Sequence, residues 1–191
     1  MNKIVLASGN KGKLAEFRAI LTEYEVLSPK DLGIDFDVEE TGSTFYENAY
    51  IKAKALYEIC GLPTVADDSG LCVDALGGAP GVFSARYSGG GDEENINKLL
   101  SALDGKTDRR AHFASSIVYY DGKNVVNGFG TTEGYITAAR EGSGGFGYDP
   151  VFFSDDLSKT FGVASEAEKN GVSHRGRALA DLVNKLRASK R

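Results

Sequence analysis

The sequence predicts an α/β fold in which a mixed β-sheet is flanked by helices. Two observations favour this fold: strands alternate with helices early in the chain, and two strands meet in a hairpin later on. Alternation with helices is typical of parallel strands, whereas a hairpin pairs its strands antiparallel. With 191 residues, the chain is long enough for one sizeable domain or two closely fused lobes.

The first strand and the first helix follow from the spacing of apolar residues. Residues 3–7 form a short apolar run, which is typical of a buried strand. Beyond it, apolar residues recur at helical spacing and predict a helix with one buried face. These residues are Leu14, Phe17, Ile20 and Leu21.

A capping motif marks the start of a second helix. Thr44 and Glu47 have the spacing of a capping box, and the helix that they begin is expected to run to about Cys60. Short extended segments are expected before this helix, at residues 25–28 and 36–38.

The remaining elements are predicted from turn and capping residues. Residues 63–66 and 71–73 are expected to be strands on either side of an acidic turn at residues 67–70. A hairpin is expected at residues 112–132, because residues 121–124 have a favourable turn sequence. Asp92 and Ser173 are expected to cap two further helices.

The composition argues against several classes of protein. Lys and Arg total 22 against 27 Asp and Glu, so the formal net charge is −5, which disfavours a broad surface for nucleic acid or anionic membranes. The sequence shows neither the pattern of a signal peptide nor an apolar run as long as a membrane span. Cys60 and Cys72 are isolated, so we expect no disulfide, no zinc site and a cytoplasmic location.

A loop rich in glycine and lysine follows the first strand. It consists of Ser8, Gly9, Asn10, Lys11, Gly12 and Lys13. Because the loop leads into a helix, its N–H groups and the helix dipole favour an anion, and the lysines add positive charge. The loop therefore predicts phosphate binding; an ordinary turn with solvated lysines is the alternative, and the Walker A pattern is absent.

Two acidic segments indicate a site for a hard cation. Glu39 and Glu40 lie in one segment, and Asp67 and Asp68 lie in the other. Mg²⁺ prefers oxygen ligands and takes only one or two carboxylates from the protein. A polar turn that only caps strands is the alternative for the second segment.

Two later segments have the composition of a pocket for a planar ligand. Residues 142–150 combine many glycines with Phe146, which offers a face for stacking, and Asp149, which offers an acceptor. Donors for an oxygen or a phosphate follow near the last helix, namely Lys169, His174 and Arg175. A flexible surface loop and exposed cations at a helix start are the alternatives.

These motifs, in this order, resemble those of the inosine-triphosphate pyrophosphatase family. Besides the segments above, the resemblance includes residues 45–48, 77–81, 84–87, 144–152 and 173–176. It implies one domain, residues 1–191, with an elongated mixed sheet and two lobes around a central cleft. It also implies a homodimer that hydrolyses ITP, dITP and XTP to the monophosphate and pyrophosphate.

The resemblance also implies roles for particular residues. Glu39 and Asp68 would hold Mg²⁺, and Asp68 would also be the general base. Residues 8–13 would contact the triphosphate, and Ser69 would also bind the substrate. The nucleoside pocket would be formed by Phe146, Gly147, Tyr148, Asp149, Lys169, His174 and Arg175. Gly171 departs from the family pattern, in which alanine is usual.

Base selectivity would follow from the keto group at purine C6. Donors from His174 and Arg175 suit that oxygen, whereas adenine presents an amino donor there. Three other functions stay open: a pyrophosphatase for modified pyrimidines or other nucleotides, a nucleotide sensor without turnover, and a nucleic-acid-binding module. The acidic balance disfavours the last of these.

Overall fold

The computed structural model describes residues 2–189, and within them seven strands form one mixed sheet in the order β2-β1-β3-β4-β5-β6-β7. The strands are β1 Asn2–Leu6, β2 Tyr24–Leu27, β3 Thr64–Val73, β4 Arg110–Tyr120, β5 Val125–Ile136, β6 Phe152–Ser154 and β7 Lys159–Thr160. The helices are α1 Lys11–Ile20, α2 Phe45–Cys60, α3 Asp92–Ala102, α4 Glu166–Val172 and α5 His174–Ala188. β1 pairs in parallel with β2 and β3, whereas β6 pairs antiparallel with β5 and β7.

The chain folds into two compact units, in agreement with the two lobes that were expected. The described part of the first unit comprises residues 2–68, 115–130 and 175–189. The second unit comprises residues 69–114 and 131–174. No helix within residues 2–189 is both long enough and apolar enough to cross a membrane.

The first unit buries both faces of its strands. Ile4 and Leu6 of β1 pack with Leu179 and other residues of α1 and α5, while Val5 packs on the opposite face against Leu56 and two alanines of α2. A strand that is buried on both faces reads as a continuous apolar run, as residues 3–7 do. Full burial of a leucine or phenylalanine contributes about 1.5–3 kcal/mol to folding.

The second unit has its own core, built around aromatic rings. Phe113 of β4 lies 4.6 Å from the ring of Phe152 and 6.1 Å from that of Phe161, measured between centroids. Ile96 and Leu99 of α3 join the same cluster. The predicted apolar face of the third helix is therefore buried in this core.

The predicted helix caps are confirmed in one case and wrong in another. Thr44 accepts a hydrogen bond from the Glu47 N–H, and Glu47 accepts one from the Thr44 N–H, so the capping box is present. Asp92, however, is the first residue of α3, and Gly91 precedes it as the cap. The Asp92 carboxylate instead accepts a hydrogen bond from the N–H of Gly147, a contact between distant segments that local sequence does not reveal.

The predicted acidic turn at residues 67–70 is wrong. Residues 64–73 form a single strand, β3, which lies between β1 and β4 in the sheet. β1 pairs with residues 64 and 65 of this strand, and the two aspartates meet cationic and amide partners in the folded chain, so polar composition alone does not break the strand. Residues 36–38 lie outside the strands, and the short elements α4 and β7 were not predicted.

A pair of glycine substitutions tests the packing of α5 on the sheet. An added Cβ at Gly128 of β5 would lie 2.2 Å from the carbonyl oxygen of Ala178 and 2.7 Å from Cβ of Leu182. We expect Gly128→Ala to lower the free energy of unfolding by about 1–3 kcal/mol, because α5 must shift. Urea unfolding measures the change.

Gly171→Ala is the matched control, because nothing lies within 4 Å of an added Cβ there. In α4 it should leave the free energy of unfolding unchanged or raise it by about 0.5–1 kcal/mol, as expected for glycine to alanine in a helix. If Gly128→Ala had the same free energy of unfolding as the wild type, the close packing of α5 against β5 would be contradicted.

Candidate active site

The loop predicted to bind phosphate leads from β1 into α1. The side chain of Asn10 accepts a hydrogen bond from the Lys13 N–H at 3.1 Å, and the Ser8 hydroxyl accepts one from the Asn10 N–H at 3.1 Å. The first N–H groups of a helix have no partner within the helix. Gly9, Lys11 and Gly12 are exposed, so this end of α1 presents donors and positive charge to solvent.

Asp67 is a buried carboxylate held by two cations. Lys13 Nζ lies 3.1 Å from its Oδ1, and Arg175 Nε donates to its Oδ2 at 3.1 Å. Arg175 also forms an ion pair with Glu16. Burial alone would raise the pKa of Asp67, but Lys13 and Arg175 outweigh it and hold the pKa well below its ordinary value. Asp67 is therefore charged in the folded protein.

Asp68, the next residue, is compensated less completely. Asn48 of α2 donates from Nδ2 to its Oδ2 at 3.0 Å, and Lys52 Nζ lies 3.9 Å from its Oδ1. Burial raises the pKa of Asp68 above its ordinary value, because the opposing effects of Lys52 and Asn48 are smaller. A carboxylate with a raised pKa is a better proton acceptor than an ordinary one.

The two glutamates of the first acidic segment differ in their surroundings. Glu40 Oε1 lies 2.6 Å from Lys52 Nζ and adds negative charge near Asp68. Glu39 is exposed, and within residues 2–189 its side chain forms no hydrogen bond or ion pair. Both segments of the predicted cation site thus belong to the first unit, with Lys52 between Glu40 and Asp68.

The carboxylates of this region are oxygen donors of the kind that a hard divalent cation takes as ligands. In the described part of the chain, no group of three or more His, Cys, Asp and Glu side chains is arranged to hold a metal ion. Mg²⁺ needs fewer protein ligands, because it keeps several waters and shares its remaining positions with substrate phosphates. The incomplete compensation of Asp68 is the feature that a divalent cation would relieve.

In the second unit, the glycine-rich loop is ordered by a buried ion pair. Lys169 Nζ lies 2.6 Å from Asp149 Oδ2, and the same oxygen accepts a hydrogen bond from the Phe146 N–H at 3.0 Å. Lys169 Nζ also lies 4.5 Å from the centroid of the Phe146 ring. Gly145 has φ of +72°, and an added Cβ there would lie 1.9 Å from Asp149 Oδ2. The loop is therefore held in one conformation by specific contacts and is not a flexible surface segment.

The other residues predicted to form the nucleoside pocket lie in different surroundings. The His174 ring is buried and stacks on Phe113, with centroids 4.8 Å apart. The Tyr148 hydroxyl donates to the carbonyl of Ser84 at 2.7 Å, and burial raises its pKa above the ordinary value. Arg175, predicted to read the base, forms the ion pairs with Asp67 and Glu16 described above. Ser69 follows Asp68 in β3 and is half-buried.

The sequence analysis did not identify two residues beside the predicted cation site, Asn48 and Lys52. Asn48 and Lys52 are four residues apart on α2 and so lie on one face of the helix. That spacing was a detectable signal, but nothing in it indicated which segment the face would meet. Asp67 was named as part of an acidic pair, and its ion pairs with Lys13 and Arg175 join segments far apart in the chain.

Known proteins are similar to this chain both in sequence and in fold. A sequence model of the Ham1 family matches residues 4–185. The chain belongs to the Ham1 family. This membership agrees with the resemblance inferred from the motifs, because relatives that match nearly the whole chain are named dITP/XTP pyrophosphatases.

Two relatives and one solved structure illustrate how far the similarity to other proteins extends. The dITP/XTP pyrophosphatase of Treponema denticola is 52% identical over 98% of this chain and 100% of its own length. That of Pectobacterium atrosepticum is 46% identical over 98% and 99%, respectively. The Staphylococcus aureus Ham1 protein has a TM-score of 0.90 and 43% identity, covering 98% of this chain and 100% of its own. The α/β fold is thereby confirmed.

Removal of the cation from the buried ion pair tests how the second unit orders its loop. We expect Lys169→Met to lower the free energy of unfolding by about 3–5 kcal/mol, because Asp149 would be left buried without its counter-charge. Urea unfolding measures this change.

Lys159→Met is the matched control, since Lys159 forms an exposed ion pair with Glu168 at 2.9 Å. It should lower the free energy of unfolding by less than about 1 kcal/mol. Similar losses in the two variants would contradict the importance assigned to burial of the Lys169 pair.

Proposed function

We propose that this chain is a Mg²⁺-dependent nucleoside-triphosphate pyrophosphatase. It hydrolyses ITP, dITP and XTP to the monophosphate and pyrophosphate, and so keeps these nucleotides out of DNA and RNA. The observation that supports the proposal most directly is Asp68, a buried carboxylate with a raised pKa in a region of cations. The names of the relatives supply the nucleotide class. Residues 1–191 act in this proposal as one domain.

The triphosphate is proposed to bind at the start of α1. The N–H groups of a helix N-terminus recognise phosphate oxygens, and lysine side chains add charge-assisted hydrogen bonds. The proposed triphosphate contacts are Ser8, Gly9, Asn10, Lys11, Gly12 and Lys13, and Ser69 is proposed as a further substrate contact. The exposure of Gly9, Lys11 and Gly12 supports this assignment.

Glu39 and Asp68 are proposed to hold Mg²⁺. Their carboxylate oxygens are the donors that this ion prefers, and the partial compensation of Asp68 supports a cation beside it. Once bound, the ion would neutralise charge on the phosphate oxygens as the α–β bond breaks.

Asp68 is also proposed to be the general base. It orients a water molecule and accepts its proton while the water oxygen attacks the α-phosphorus. The bond from the α-phosphorus to the bridging oxygen then breaks, and pyrophosphate leaves with that oxygen. Lys11 and Lys13 stabilise the negative charge of the leaving group, so positioning and electrostatics supply most of the rate gain.

The purine is proposed to bind to residues around the glycine-rich loop. Phe146 is 38% exposed and offers its ring for stacking, while donor side chains suit a keto oxygen at C6. The proposed contacts are Phe146, Gly147, Tyr148, Asp149, Lys169, His174 and Arg175. Adenine would place an amino donor against these donors, which disfavours ATP.

We further propose that the enzyme is a cytoplasmic homodimer that binds neither nucleic acid nor membranes. The dimer and the compartment follow from the family resemblance and the isolated cysteines. The net charge of −5 supports the absence of a nucleic-acid surface, because such surfaces carry many uncompensated lysines and arginines.

Asp68→Asn tests the chemistry. We expect nucleotide binding to persist and turnover to fall by a factor of about 10²–10⁴, because an amide cannot accept the proton of the water. The assay combines Mg²⁺ with dITP, XTP, ATP and GTP and detects pyrophosphate separately from orthophosphate. Asp104→Asn, at an exposed position, is the control and should match the wild type.

Three outcomes of this assay would contradict the proposal. Nucleotide binding by the wild type without product release would indicate a sensor. Orthophosphate as the product would indicate cleavage at a different bond. Turnover retained in Asp68→Asn would remove Asp68 as the base.

His174→Ala tests base readout. We expect the preference for ITP over ATP to fall roughly tenfold to a hundredfold, since an unpaired buried polar group costs about 1–3 kcal/mol. The chain has 2 histidines, and the other, His112, is half-buried in β4. His112→Ala is therefore the control, and an unchanged preference in His174→Ala would exclude this residue from base recognition.

A further inference from the structure

We propose that Asn48 is a positioning residue that ties the 39–42 segment to Asp68 and holds Asp68 by its Oδ2 oxygen. This inference rests on the proposed function, because it concerns the carboxylates assigned to Mg²⁺. It adds a residue that touches neither nucleotide nor metal and acts through the groups that do.

The two hydrogen bonds of the Asn48 side chain determine the orientation of its amide. Nδ2 donates to Asp68 Oδ2 at 3.0 Å, and Oδ1 accepts from the Gly42 N–H at 2.8 Å. A backbone N–H donates only and a charged carboxylate accepts only, so the opposite orientation would lose both bonds. Asn48 is fully buried, and water therefore does not replace either partner.

Gly42 brings the loop close enough for this contact. An added Cβ at Gly42 would lie 2.6 Å from Cβ of Glu47 and 2.7 Å from Oδ1 of Asn48. Only glycine lets the backbone approach α2 so closely. The loop position of Glu39 is thus defined three residues away by a hydrogen bond to the side chain that also holds Asp68.

A second residue on the same face of α2 lies near the other oxygen of Asp68. Lys52 stands one turn beyond Asn48 on α2, and its Nζ lies 3.9 Å from Asp68 Oδ1 and 2.6 Å from Glu40 Oε1. Asn48 brings a neutral donor to Oδ2, so it orients the carboxylate and adds no charge.

The chain contains a matched control for a purely structural role. Asn95 of α3 is also buried, accepts a hydrogen bond from the Ser88 N–H at 2.8 Å and donates to the Ala85 carbonyl at 3.1 Å. Its other partners are the Ser88 hydroxyl, which donates to Oδ1 at 2.7 Å, and the Ser84 carbonyl, so none of them is a carboxylate. Asn95→Ala thus removes a buried amide with more hydrogen bonds than Asn48 has, away from the proposed metal ligands.

The experiment compares Asn48→Ala and Asn95→Ala with the wild type in the full chain. Binding of Mn²⁺, a spectroscopic substitute for Mg²⁺, is measured by electron paramagnetic resonance without nucleotide, and kcat and KM for dITP are measured with Mg²⁺. We expect the Mn²⁺ dissociation constant to rise about 10- to 100-fold in Asn48→Ala, the range found when partners of metal ligands are removed. We also expect kcat to fall with KM for dITP within about threefold, whereas Asn95→Ala should keep the wild-type dissociation constant for Mn²⁺.

Asn48→Asp separates the two contacts and serves if Asn48→Ala fails to fold. It keeps the acceptor for the Gly42 N–H but loses the donor to Asp68, so we expect it to lose activity as Asn48→Ala does. Wild-type Mn²⁺ affinity in both Asn48 variants would overturn the inference, as would an equal loss in Asn95→Ala or no Mn²⁺ binding by the wild type. Pyrophosphate release by the wild type tests the proposed function separately, so failure of one idea is distinguishable from failure of the other.

Discussion

The burial of two adjacent aspartates in the middle of β3 is the constraint on which the first unit depends. A carboxylate taken out of water is strongly unfavourable unless cations or donors surround it. Asp67 meets this requirement with Lys13 and Arg175. These contacts bring the starts of α1 and α5 to the same strand, so a charge that would otherwise destabilise the fold links two helices to β3.

The alternation of side chains along a strand separates the roles of the two aspartates. Successive side chains point to opposite faces of a sheet, and accordingly Asp67 meets α1 and α5 while Asp68 meets α2. Asp67 is held charged by two cations. Asn48 donates to Asp68, Lys52 lies farther from it, and burial raises the pKa of Asp68 above its ordinary value. Asp67 is thus held charged by its ion pairs, whereas the pKa of its neighbour Asp68 is raised by burial.

In the second unit, several residues proposed to bind the ligand lie in a glycine-rich loop. Glycine makes the backbone of such a loop flexible, but a buried lysine orders this one. Lys169 pairs with Asp149, whose carboxylate also accepts the N–H of Phe146. The aromatic ring is thus presented at the surface by a rigid support. Preorganisation of this kind reduces the entropy that binding a planar base would otherwise cost.

The sequence by itself determined the local features of this protein. Apolar spacing predicted α1 and the last helix, the Thr44–Glu47 box predicted the start of α2, and the motifs in order predicted the Ham1 family membership. These signals lie within a few residues of one another, so no folding of the chain is needed to detect them. They do not report which distant segments meet.

Only the tertiary structure decided how the charged residues are paired. Composition placed Asp67 and Asp68 in a turn, whereas they lie in β3, where Asp67 meets cations from α1 and α5 and Asp68 meets α2. In the folded chain, Asp92 is a hydrogen-bond partner of Gly147 rather than a helix cap, and Asn48 donates a hydrogen bond to Asp68. In each case the deciding contact joins residues far apart in sequence, because the energy of a buried charge depends on its whole surroundings.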